Sequence, residues 1–147
     1  MKALSRTLAV LGAAAILASC SSMHHMMNSG SSSGESVTLS GANEVPAVST
    51  SAAGSGMVTV NPDHTVTAKI IATGMTATAA HIHQGAKGAN GKVIVPFTKT
   101  GDNEFSAPPG AKLTDEQYQA YKAGDLYVNV HSAAHPGGEI RAQLSGR

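Results

Sequence analysis

From Ser36 onward, Val, Ile, Leu, Thr and Ala alternate with polar residues at period two, and Gly or Pro breaks the pattern every few residues. Such alternation sends successive side chains to opposite faces of an extended chain, so each run reads as a strand with one apolar face. The runs are 37–40, 56–61, 65–73, 77–84, 92–97, 125–132 and 138–144. Asn61-Pro62-Asp63-His64 reads as a tight turn, and the glycine-rich 85–91, ending in Asn90-Gly91, as a hairpin connection. A single stretch looks helical: Thr114-Asp115-Glu116-Gln117 has the form of a capping box, and the helix should pass Tyr118 and Tyr121 and stop at Gly124. Seven or more short strands with one short helix predict an all-β domain, an antiparallel Greek-key sandwich or flattened barrel.

The core of such a domain must be thin, because the chain has no Trp and only two Phe. Its one cysteine, Cys20, permits no internal disulfide. A bound ion can therefore matter to stability as well as to function.

The first residues have a different character. Lys2 and Arg6 precede an apolar run from Leu8 to Leu17, too short to span a bilayer at the roughly 20 residues that spanning needs. A charged start, a short apolar stretch and small residues at its end mark a secretion signal over 1–19. Leu17-Ala18-Ser19-Cys20 resembles the lipobox of bacterial lipoproteins, which implies lipidation at Cys20 and attachment to the membrane by lipid. Ser21, rather than Asp, resembles the pattern that sends lipoproteins to the periplasmic face of the outer membrane. Cleavage would remove Lys2 and Arg6 from the ten basic residues, leaving eight against nine acidic ones, so charge makes no case for nucleic acid. Residues 20–36, rich in Ser, Gly, Met and His, read as a flexible tether, and 37–145 as the domain.

Four of the domain's five histidines fall in two short motifs. His81 and His83 lie one residue apart on a predicted strand, so they share a face and stand about 6.6 Å apart. Ala80 and Ile82 take the opposite, apolar face. On the later strand Leu126, Val128 and Val130 form one face and Tyr127, Asn129 and His131 the other, with His135 following in a Pro-Gly-Gly loop. Imidazoles bind metals at about 2.0–2.1 Å, so His81, His83, His131 and His135 are candidate ligands. An all-imidazole set without thiolate suits copper, zinc or nickel. Glu44, Tyr127, Asn129, Glu139 and Arg141 are candidates for orienting those imidazoles, and His64, alone in its turn, reads as solvated. In the tether, Met23-His24-His25-Met26-Met27 offers thioethers beside imidazoles, a combination that favours Cu(I).

Three segments together resemble the CHRD domain, the module named after chordin. They are 39–46 (Leu-Ser-Gly-Ala-Asn-Glu-Val-Pro), 78–83 (Thr-Ala-Ala-His-Ile-His) and 126–141, from Leu126 through His131, His135 and Gly138 to Arg141. The resemblance implies an immunoglobulin-like or superoxide-dismutase-like β-sandwich. A second resemblance is to copper–zinc superoxide dismutases, in which a His-x-His strand and a later strand-end His hold copper and an Arg in the last strand guides the anion. His81-Ile82-His83, His131 and Arg141 occur in that order, but the span 84–127 has no zinc-binding or bridging histidine. The expectation is a lipid-anchored periplasmic copper protein, with zinc as the alternative metal and another copper protein as a possible partner. It would be a carrier, buffer or electron-transfer site, with no catalytic residue assigned. The alternatives are a copper-dependent dismutase-like enzyme and a metal-free adhesion module.

Overall fold

The computed structural model describes residues 34–147. Their strands are β1 (Glu35–Ser40), β2 (Ala53–Val60), β3 (Val66–Thr73), β4 (Ala77–Gln84), β5 (Lys92–Pro96), β6 (Thr98–Gly101), β7 (Glu104–Ser106), β8 (Leu126–Ser132) and β9 (Ile140–Gln143), with one α-helix, α1 (Asp115–Lys122), and a single 3-10 turn over Gly41–Asn43. All pair antiparallel in one sheet of order β5-β4-β8-β9-β1-β2-β3-β7-β6. β5 and β6 are separated only by Phe97 yet occupy the two ends of that order. The sheet therefore curls until its edges nearly meet: Phe97 N donates to Ala80 O at 3.0 Å and Lys99 Nζ to Ala77 O at 2.9 Å. The result is the flattened, almost closed barrel that the alternation predicts.

Side chains that the pattern assigns inward fill the barrel: Leu39, Val58, Ile70, Ala80, Ile82, Leu126, Val128, Val130 and Ile140, joined by Phe105. Burying an aliphatic side chain of this kind is worth about 1.5–3 kcal/mol. Alternation gives no sign of β6 and β7, because Thr98–Gly101 is exposed throughout and the three residues of Glu104–Ser106 are too few to show a period. α1 has the anticipated capping box, with Thr114 Oγ1 accepting from Gln117 N and Thr114 N donating to Gln117 Oε1. His64 departs from its expected solvated state. It has φ +70, stacks on Tyr118 at 4.2 Å and approaches Asp115 Oδ1 at 3.4 Å, pinning the β2–β3 turn to the helix start.

β8 positions the functional residues. All seven of its residues are buried, although only alternate ones face the barrel interior. Its outer face is covered by the loops around Glu44, around residues 85–91 and around 133–139. Among the described residues no helix is long and apolar enough to cross a membrane.

Candidate metal centre

β4 and β8 pair so that His81 lies opposite Asn129, His83 opposite Tyr127 and Ala79 opposite His131. Period-two geometry then puts His81, His83, Tyr127, Asn129 and His131 on the outer face while Ala80, Ile82, Val128 and Val130 pack inside. The small Ala79 leaves room for the His131 ring to lean toward His81. His81 Nδ1 and His131 Nε2 are 2.9 Å apart. The ring centroids are 4.7 Å (His81–His131), 5.5 Å (His81–His83) and 6.1 Å (His83–His131) apart. One nitrogen from each ring lies within 4.8 Å of the other two.

Main-chain carbonyls fix which nitrogen His83 and His131 present. His83 Nδ1 lies 3.0 Å from Gly91 O, and His131 Nδ1 lies 3.0 Å from Pro136 O. A carbonyl can only accept, so Nδ1 carries the proton in both rings and Nε2 offers a lone pair. His83 Nε2 is buried with no hydrogen-bond partner. A Cβ at residue 91 would run into Gln84 O, so only glycine brings this carbonyl so close. Burial pushes the His81 imidazole down to about 4, and the neighbouring His131 and His83 rings add to the shift. Burial lowers His83 and His131 as well, against the opposing pull of the Gly91 and Pro136 carbonyls. At neutral pH all three rings are neutral, the state a metal ligand requires.

His135 does not join them. The 132–138 loop closes into a tight turn, with Ser132 N and Gly138 N both donating to His135 O at 3.4 and 3.1 Å. That turn brings the Pro136 carbonyl, not the His135 ring, to His131. His135 instead faces Glu139 and lines a groove with Val45, Pro46 and Val48. The cluster among the described residues is thus three histidines, not four.

The supporting residues sort by what they touch. Tyr127 stacks on His83 (4.8 Å, 9° between planes), and its hydroxyl accepts from Gly91 N at 3.2 Å. Arg141 is neither on the surface nor paired with a carboxylate by hydrogen bonds. It is 1% exposed, its Cζ lies 3.4 Å from the Tyr127 ring centroid, and it donates to Ala89 O, Ala86 O, Asn90 Oδ1 and Gln143 Oε1. It clamps the 85–91 loop that carries Gly91. Glu139 accepts from Thr50 Oγ1 at 2.7 Å and ties two covering loops together. Glu44 and Asn129 are buried next to one another and beside His83. Met23, His24, His25, Met26, Met27 and Cys20 lie outside the described residues.

The carbonyls of Gly91 and Pro136, which set the ring tautomers, were missed in the sequence. Their only signals are the turn dipeptides Asn90-Gly91 and Pro136-Gly137, which mark turns without saying where a carbonyl points.

The CHRD domain model matches residues 36–144, most of the chain. The chain belongs to the CHRD-domain family. No curated protein and no solved structure matches it. Within this CHRD domain the three distinctive segments converge. The first brings Glu44, the second His81 and His83, and the third Tyr127, Asn129, His131 and Arg141, so the motifs meet at one place.

Proposed function

We propose that the CHRD domain holds one copper ion through His81 Nδ1, His83 Nε2 and His131 Nε2, and that the chain is a lipid-anchored periplasmic copper carrier, buffer or electron-transfer protein. One observation carries the metal reading: His83 Nε2, its tautomer set by Gly91, is buried without a partner beside two further imidazole nitrogens. An unmatched buried acceptor costs about 1–3 kcal/mol, and a cation at that point removes the cost. Copper is preferred to zinc because a given set of nitrogen donors binds Cu(II) more tightly than zinc. In the metal-free centre His81 Nδ1 donates to His131 Nε2 at 2.9 Å, and the ion would replace that proton. Copper bound here would supply one-electron chemistry or be passed to another protein.

A dismutase-like enzyme is the second reading. In its favour, the imidazole set is three rather than four, and His81 is only partly buried at the edge of the site. Against it, Arg141 spends its donors on carbonyls beneath Tyr127 and is not free to guide an anion. Superoxide turnover should be far below diffusion control and little changed in Arg141→Ala.

Elemental analysis of protein purified from the periplasm, with thermal melts, tests the copper reading. Copper should raise the melting temperature of wild type, by about 2.7 kcal/mol of stability at a hundredfold excess over Kd. The rise should vanish in His81→Ala/His131→Ala. Equal melting temperatures with and without copper in wild type would rule the centre out.

A further inference from the structure

Three buried polar atoms that lack hydrogen-bond partners belong to neighbouring side chains: His83 Nε2, Asn129 Oδ1 and Glu44 Oε1. A single orphan of this kind is a local defect. Three in one group call for something between them.

Asn129 occupies the middle of the histidine triangle. It is directly opposite His81, diagonal to His83 and two residues before His131 on the same face of β8. Directly opposed Cβ atoms are about 4.5–5.5 Å apart and diagonal ones about 7–8 Å, so a short amide here forms the floor beneath the three rings. The Asn129 side chain lies beside both Glu44 and His83. Asn129 Nδ2 and Glu44 Oε1 both border the bare Cα of Gly138, so Nδ2 is the amide atom on the Glu44 side, and Oδ1, buried without a partner, is the one left for the centre. His83, however, spends its one N–H on Gly91 O. Its Nε2 and Asn129 Oδ1 are then buried acceptors on neighbouring side chains, neither with a donor, and a cation between them would satisfy both.

We infer that Asn129 Oδ1 is the fourth ligand of the centre, the role the sequence assigned to His135, and that Glu44 holds the amide with its oxygen toward the metal. This inference rests on the copper reading above. Gly138 fits the same arrangement. A Cβ there would lie 2.5 Å from Glu44 Oε1 and 2.6 Å from Asn129 Nδ2, so glycine is what admits the Glu44–Asn129 pair. Three nitrogens and one oxygen form a set that prefers Cu(II) to Cu(I).

The test uses the full chain carrying His24→Ala/His25→Ala, so that the tether imidazoles do not report. Cu(II) affinity by competition titration and the EPR spectrum are compared among the parent, Asn129→Leu, Asn129→Asp and His81→Ala/His131→Ala. Asn129→Leu should weaken Cu(II) by about tenfold or more and change its hyperfine pattern, while Cu(I) affinity holds. Asn129→Asp keeps an oxygen in place with added charge and should bind Cu(II) more tightly than the parent. A folded Asn129→Leu with parental affinity and spectrum overturns the assignment. If that variant does not fold, an Asn129→Asp chain indistinguishable from the parent overturns it instead. The copper reading survives either result as long as the parent binds and His81→Ala/His131→Ala does not. Absence of Cu(II) binding in the parent removes both.

Discussion

His81, His83 and His131 are kept neutral by their surroundings, and that has a measurable consequence for the metal-free protein. An unfolded histidine titrates near 6.5, whereas His81 in the fold titrates near 4, and burial lowers His83 and His131 too. Between those values the unfolded chain binds more protons than the folded one, so stability must fall as pH drops from about 6.5 toward 4. Melting temperatures of the copper-free chain should therefore decline across that range, and His81→Ala should flatten the decline. The same depression moves proton competition for copper downward. Affinity should hold well below pH 6.5, where an unperturbed imidazole would already be losing its metal. Gly138, with φ +129 and no room for a Cβ, gives a second residue-scale test. Gly138→Ala should cost about 1–3 kcal/mol of stability and weaken copper binding together.

Among the elements, β8 is unusual in having two buried faces, one against the barrel core and one beneath loops. The loop over residues 85–91 is held by Arg141, Tyr127 and Gln143, whose Nε2 donates to Gly85 O and Gly124 O at 3.0 and 2.8 Å. Replacing Arg141 by Met keeps the packing on Tyr127 but orphans the Ala86 and Ala89 carbonyls. Hydrogen exchange of the 85–91 amides should then quicken, and copper affinity should fall about tenfold because Gly91 no longer fixes His83. Exchange rates and affinity equal to wild type would show that the loop needs no clamp. The helix lies apart from the centre. Thr114→Ala should cost about 1 kcal/mol through the lost capping box and leave metal binding unchanged.

At the scale of the whole chain, the proposal joins a copper site to a lipid anchor, and the two can be tested separately. Cys20→Ala should give an unprocessed or soluble protein in cell fractionation. Recovery of the variant in the membrane, processed as before, would contradict lipidation. Deleting residues 23–27 should slow Cu(I) loading or remove a weaker Cu(I) site while leaving the melting temperature of the domain unchanged. Unchanged stoichiometry and loading rate would make those residues a spacer.

Period-two alternation sufficed to determine the all-β class and the inward set, because each strand has only two faces and the apolar one must be buried. It also determined that His81, His83 and His131 share the other face, since strand geometry leaves no freedom in that assignment. Thr114 and Gln117 likewise specified the helix start locally. What alternation does not encode is which strands are neighbours, and the pairing of β4 with β8, not adjacent in sequence, is what brings the two histidine motifs together. Loop conformation is the other unreadable quantity. The 132–138 turn carries His135 away and delivers the Pro136 carbonyl, while the 85–91 loop delivers Gly91. Both outcomes depend on main-chain hydrogen bonds within the loops and to their neighbours. Arg141 reads in sequence as one more polar-face residue, and only the loops folded over β8 and β9 turn that polar face into a second, buried interior.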